Sequence, residues 1–307
     1  MNSIKIFSPA TIANISCGFD VLGLALDNIG DEMIIKKINE PGVRITKIVG
    51  QKLPLETTKN VAGVAALALL NEMETSFGFE IEIYKNIKPG SGIGSSAASA
   101  AGAVWGINEL LGKPFNKTQL VKFAMEGEKL ASGTLHADNV APALFGGFTL
   151  VRSYNPLDII QINTPKELFV TVIHPHIEIK TVDARAILSP TVLLKDAVKQ
   201  WGNVGGLISG LYTEDYELIG RSLEDFIVEP IRATLIPNYY KVKESALNAG
   251  ALGCGISGSG PSIFALCKGE NVAKTVALAL KENYKKTGIP FDVYSSKINS
   301  EGIKIIK

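Results

Sequence analysis

The sequence predicts an α+β fold built in two parts. Short β-branched strands punctuated by turn residues dominate the first half, and segregated helical stretches dominate after Pro165. Neither half shows the regular strand–helix alternation of a doubly wound sheet. A chain of 307 residues can enclose one large core or two medium ones. A soft boundary near Asn163–Pro165 divides it into residues 1–164 and 165–307.

The elements follow in order. "IKIFS", "GFDVLGLALD", "EMIIKKI" and "RITKIV" read as strands. "NVAGVAALALLNEM" is apolar at helical spacing, with Asn60 as its N-cap. "FEIEIY" alternates with period two and leads into a glycine-rich loop. A small-residue helix runs from Ser95 to Leu111, and "TQLVKFAMEGEKLA" is a second helix that Thr118 is placed to cap. "FGGFTLVRSY" and "DIIQIN" return to strand. Past the boundary, "ELFVTVIHP", "PSIFALC" and "FDVYSSKI" are strands. "TVLLKDAVKQW", "EDYELIGRSLEDF", "NYYKVKESALNAG" and "NVAKTVALALKENYKK" are helices.

Composition narrows the function. The chain is 46% hydrophobic and 20% charged, with 31 basic against 30 acidic residues. A net charge of +1 gives no reason to expect a nucleic-acid or membrane-surface partner. The opening "NSIKIFSPATIANI" lacks the pattern of a secretory signal, and the longest apolar runs are too short to span a bilayer. Cys17, Cys254 and Cys267 form no CxxC and no even framework, which suits a reducing compartment. The expected location is the cytoplasm.

"KPGSGIGSSAASAAG" (88–102) carries the chemistry. A loop that delivers a strand into a helix N-terminus is an anion site, because free N–H groups and the helix dipole both favour negative charge. No Lys follows Gly94, so the loop is not a Walker cradle. Its Gly-x-Gly-x-Gly spacing is not a dinucleotide fingerprint either. A tight turn that only lets a small-residue helix pack closely is the alternative.

Three stretches together carry a resemblance: "SPATIANISCGFDVLGLAL" (8–26), "KPGSGIGSSAASAAG" (88–102) and "GCGISGSGPSIFAL" (253–266). In order and spacing they resemble the motifs of the superfamily containing galactokinase, homoserine kinase, mevalonate kinase and phosphomevalonate kinase. "H-x-DNVAPALFGG" (136–147) and "EP-x-R-x-x-LIP" (229–237) are similar to the homoserine kinase branch. The chain departs from the usual pattern at Ile12, Ile15, Ser16 and Cys17, and at Lys88 and Ile93 in the glycine loop.

The resemblance implies two α+β domains, the first like ribosomal protein S5 and the second ferredoxin-like, with the active site in the cleft between them. It also implies a homodimer. The implied reaction is ATP- and Mg²⁺-dependent phosphorylation of the side-chain hydroxyl of L-homoserine, on the route to threonine. ATP phosphates are then expected on Pro89, Gly90, Ser91, Gly92, Ile93, Gly94, Ser95 and Ser96, and Mg²⁺ on Ser96 and Glu128. Homoserine carries both signs of charge. By the same resemblance Arg185 and Arg232 meet its carboxylate, Asp20 its ammonium, and Asn14 its hydroxyl region. His136, Asn139 and Thr181 are the expected catalytic contacts, serving orientation more than proton abstraction.

Alternatives remain at several residues. Without the resemblance, Glu128 reads as a solvated helix carboxylate, and Asn14 and Asp20 as turn formers. Asp138 is placed to cap a helix, leaving His136 only to bind substrate. "HPH" (174–176) puts two imidazoles on one strand face, a thin case for a metal. "GISGSGPS" either supports the glycine loop or makes a plain turn. A sibling kinase of mevalonate or a sugar, and a regulator that has lost catalysis, are the rival functions.

Overall fold

The computed structural model describes residues 2–307. Its first strands are longer than their apolar patches. β1 (Ser3–Ala13) pairs antiparallel with β2 (Leu22–Ile38), through a register shift between Pro9 and Thr11. Thus β2 joins "GFDVLGLALD" and "EMIIKKI" into one strand, yet Gly18–Asp20 stay outside it. Asn14, Ile15, Ser16 and Asp20 have φ of 71°, 43°, 58° and 61°, the left-handed region that no strand uses. β3 (Gly42–Val49) follows and runs parallel to β4 (Gly78–Tyr84).

Between them α1 (Val61–Leu70) starts at Asn60, whose side chain accepts from the Ala62 N–H at 3.0 Å. The glycine loop leads into α2 (Ser95–Leu110), and α3 (Lys117–Ser132) comes next. The cap of α3 is Asn116, not Thr118. Asn116 and Gln119 exchange the two bonds of a capping box, which satisfies two orphan groups at once. Thr118 lies inside the first turn. α4 (Val140–Phe145), β5 (Phe148–Tyr154) and β6 (Leu157–Ile162) complete the first half.

The seven-stranded sheet has the order β11-β1-β2-β4-β3, where β11 (Lys304–Ile305) returns from the C-terminus, while β5 pairs with β2 and β6. Helix α2 lies close on this sheet because its facing residues are small. A Cβ at Gly102 would come within 2.4 Å of Met33 Sδ, and one at Gly106 within 2.3 Å of Ile35 Cδ1. Buried Ile6, Met33, Ile81, Ala100, Val104 and Val121 fill the layer between sheet and helices.

β7 (Leu168–Pro175) opens the second half, and the boundary residues 163–165 fall in the link before it. After it come α5 (Thr181–Ala186), α6 (Leu194–Thr213), α7 (Tyr216–Ser222), α8 (Glu229–Arg232) and α9 (Tyr239–Asn248). β8 (Gly253–Ile256), β9 (Ile263–Lys268), α10 (Glu270–Lys285) and β10 (Phe291–Lys297) finish the unit. Its four-stranded antiparallel sheet has the order β10-β7-β9-β8. One mixed and one antiparallel sheet with helices segregated beside them are the α+β arrangement expected from the sequence.

One apolar cluster spans the two sheets. Ile12, Leu24 and Phe148 from the first, with Ala98 of α2, pack with Val170, Val172, Phe264 and Leu266 from the second. This shared core fixes the glycine loop of one unit against the glycine turn of the other.

Candidate active site

Gly90, Gly92 and Gly94 all have positive φ, at 70°, 79° and 69°. Glycine adopts this conformation freely, and close contact adds a second reason. A Cβ on Gly92 would lie 2.5 Å from Gly260 O, and one on Gly94 only 2.0 Å from Thr11 Oγ1. The distal "GISGSGPS" turn buttresses the loop. Ser257 Oγ donates to Gly92 O at 2.6 Å, and Ser262 Oγ donates to Ser91 O at 2.6 Å. With these carbonyls engaged, the N–H groups from Gly92 to Ser96 have no protein acceptor among the described residues. Gly94 caps α2 without a side-chain bond, so the helix start presents bare donors to an anion.

Gly94→Ala is therefore expected to weaken nucleotide binding at least about tenfold, through the strained φ and the clash with Thr11. Calorimetric titration with an ATP analogue checks this. Unchanged affinity would separate the loop from phosphate binding.

A buried ion pair lies beneath the loop. Lys85 Nζ pairs with Asp31 and donates to Ser95 O at 2.7 Å and Ser99 Oγ at 3.1 Å. Asp31 in turn accepts from the Asn86 and Ile87 N–H groups at 2.9 and 3.0 Å. Burial holds the Lys85 pKa below its ordinary value, with Asp31 opposing that shift. Lys85 thus ties the first turn of α2 to the end of β4.

Glu128 projects from α3 into the same region, 7% exposed. Its Oε1 has no hydrogen-bond partner. Burial raises its pKa to about 7, and the Ser96 hydroxyl and Lys85 act in the opposite direction. A stranded carboxylate oxygen beside a hydroxyl is a donor pair suited to a hard cation. No cluster of three or more His, Cys, Asp or Glu side chains with metal-binding geometry occurs among the described residues. Two such donors are what Mg²⁺ commonly takes from a protein, its remaining ligands coming from phosphates and water.

The opposite wall carries paired charges. Arg185 Nη2 donates to both carboxylate oxygens of Asp20, at 2.8 and 3.0 Å. Arg232 is 2% exposed and donates to Ala184 O and Gly258 O, each at 3.0 Å. Asn14 links the same parts. Its Nδ2 donates to Gly258 O at 2.8 Å, and its Oδ1 accepts from the Asp20 N–H at 3.0 Å. Tyr154 OH accepts from the Ala137 N–H at 3.3 Å and donates to Asp20 O at 3.0 Å.

His136 Nδ1 lies 3.9 Å from the Asp20 carboxylate, and its Nε2 meets Thr134 Oγ1. Burial lowers the His136 pKa; Asp20 opposes the shift, and Arg185 and Arg232 add to it. Both the burial and the two arginines favour the neutral ring. Asn139 Oδ1 accepts from Thr11 Oγ1 at 2.8 Å, which leaves its amide N–H groups as donors. Thr181 Oγ1 is 3.4 Å from Ser259 Oγ.

All but one of the expected site residues line a single cavity of about 460 Å³. The exception is Ile93, whose side chain is buried in the shared core, 3% exposed. Its carbonyl still serves the loop by accepting from the Thr11 N–H at 3.2 Å. Sequence reasoning missed Lys85, Asp31, Tyr154 and Thr11. Asp138 does not cap a helix: the N-cap of α4 is Asn139, without a side-chain bond. Asp138 is instead buried in the cavity wall. Burial, then Asp20 and Glu128, raise its pKa to about 7. "HPH" splits. His174 is buried against Ser262, while His176 meets Lys88 and Asp292 at the surface.

The chain that forms this cavity matches a known class. The model of the GHMP kinases N terminal domain matches residues 60–147, and that of the GHMP kinases C terminal region matches residues 207–286. The chain is 48% identical, over the full length of both, to homoserine kinases of Chloroherpeton thalassium and of Chlorobium phaeobacteroides strain BS1. The crystal structure of homoserine kinase from Cytophaga hutchinsonii is 52% identical, with a TM-score of 0.96, covering 100% of this chain and 98% of that one. The chain belongs to the homoserine kinase family.

Proposed function

We propose that the protein transfers the γ-phosphoryl group of ATP to the side-chain hydroxyl of L-homoserine, giving O-phospho-L-homoserine for threonine synthesis. One observation carries the reading. A single cavity holds the bare N–H groups at the start of α2 on one wall and Asp20, Arg185 and Arg232 on another. The amino-acid end of homoserine is a zwitterion, so its ammonium can replace Arg185 at Asp20 while its carboxylate replaces Asp20 at Arg185. Exchange leaves no charge unpaired. Mevalonate has a carboxylate but no amine, and would strand Asp20.

Each residue takes a positioning or charge-stabilising part. The segment Pro89–Ser96 holds the ATP phosphates through its backbone donors. Ser96 and Glu128 hold Mg²⁺, which when bound neutralises charge on the phosphates. Arg232 receives the carboxylate alongside Arg185. Asn14 and Thr181 orient the acceptor hydroxyl. The Asn139 amide N–H groups stabilise charge on the transferring group, since its oxygen is committed to Thr11. His136 orients the substrate beside Asp20.

Residues 1–164, joined by the returning strand Lys304–Ile305, then form the nucleotide domain and the rest of 165–307 the second domain, acting in the cytoplasm. Dimerisation has its own support. Leu194, Val198 and Trp201 share one face of α6 and are 71%, 49% and 58% exposed, a contiguous apolar patch of the kind that partners cover. Sedimentation is expected to give twice the mass of one chain, and Trp201→Glu to halve it. A monomeric wild type would contradict the dimer.

Coupled ADP release with homoserine, mevalonate and galactose in parallel tests the reading. Turnover is expected on homoserine. Turnover on mevalonate alone would reject the substrate, and none on any would reject a kinase.

A further inference from the structure

The Phe19 ring lies against both arginines. The Arg185 guanidinium carbon is 5.3 Å from its ring centroid and that of Arg232 is 5.1 Å away. Two guanidinium groups so placed repel each other, and Arg232 has only two carbonyl oxygens as hydrogen-bond partners. An aromatic ring attracts cations through its quadrupole, which offsets part of that repulsion.

The ring does not belong to any of the three apolar cores. Away from the arginines it borders a separate cavity of about 430 Å³ with Cys17, Val228 and Ile231. Its backbone is nonetheless tightly set. The Gly18 N–H donates to Asn14 O at 2.9 Å, the Asp20 N–H to Asn14 Oδ1 at 3.0 Å, and a Cβ on Gly18 would lie 2.4 Å from Leu22. A side chain fixed at its root yet absent from the core has a task other than filling space.

We infer that Phe19 is a positioning residue of the carboxylate site, holding Arg185 and Arg232 together as a two-armed fork. The inference rests on the proposed homoserine reading. Phe19 touches no reacting atom; it sets the spacing of the groups that grip the substrate's carboxylate. Loss of the ring lets the arginines part, and the penalty falls on acceptors that carry a carboxylate.

The test compares L-homoserine with L-homoserine amide, whose neutral amide replaces the carboxylate, as acceptors for wild type, Phe19→Leu, Phe19→Met and Phe19→Tyr. In the leucine and methionine variants kcat/KM for homoserine is expected to fall about tenfold, mainly through KM. The amide changes little, and KM for ATP stays within about twofold. Methionine, long and flexible, covers the case in which leucine does not fold. Tyrosine keeps the π face and is expected to keep the preference for the carboxylate. Equal losses on both acceptors, or none, would overturn the inference by making the ring merely structural or idle. A wild type inactive on homoserine would overturn the substrate reading itself, and this inference with it.

Discussion

Glu128→Gln is expected to lower kcat/KM by about 10²–10³-fold while making the protein more stable at pH 8. The activity loss follows from removing the charge offered to Mg²⁺ beside Ser96. The stability gain follows from linkage. The folded carboxyl titrates at about 7, against an ordinary value of 4.5. Between these values the folded state binds more protons than the unfolded one. Stability therefore falls as pH rises through the window, and the full cost remains above it. Asp138, also raised to about 7, adds a cost of the same sign. Removing one stranded charge should return on the order of 1–3 kcal/mol, or a few degrees in Tm. The difference should vanish near pH 4.5. Thermal melts at both pH values check it, and a variant less stable at pH 8 would mean that the carboxylate is already satisfied.

Asp20→Asn should lower kcat/KM for homoserine about 100-fold, the usual consequence of truncating one member of a hydrogen-bonded charge pair at a binding site. The larger change is in selectivity. 4-Hydroxybutyrate carries the carboxylate and hydroxyl but no ammonium, so wild type should reject it for leaving Asp20 unpaired. In the asparagine variant that penalty disappears and the two acceptors converge. Parallel steady-state kinetics measure the ratio. An unchanged preference would place the ammonium elsewhere.

Local signals carried far in this chain. Asn60 starts α1 and the glycine loop opens α2, because caps and glycines act on the residues beside them. Signals failed where a partner comes from far along the chain. Lys85 follows an alternating strand and reads as a surface cation, yet it is buried by Asp31, a residue 54 positions away. Thr118 lost the cap of α3 to Asn116 because the Gln119 side chain reciprocates only with the latter. Asp138 was legible as a polar residue before a helix. Its burial beside Glu128 and Asp20 depends on how three separate segments converge. The turn from Asn14 to Asp20 interrupts an apolar run because four left-handed residues bend the chain there, and hydrophobic patterning carries no mark of that bend.

A crystal structure with homoserine and a non-hydrolysable ATP analogue tests the shared cavity most directly. The expected result has phosphate oxygens within hydrogen-bond distance of the Gly92–Ser96 N–H groups. The same complex should show the substrate ammonium on Asp20 and its carboxylate between Arg185 and Arg232. Phosphates bound away from that loop, or a homoserine carboxylate turned from both arginines, would contradict the proposed chemistry.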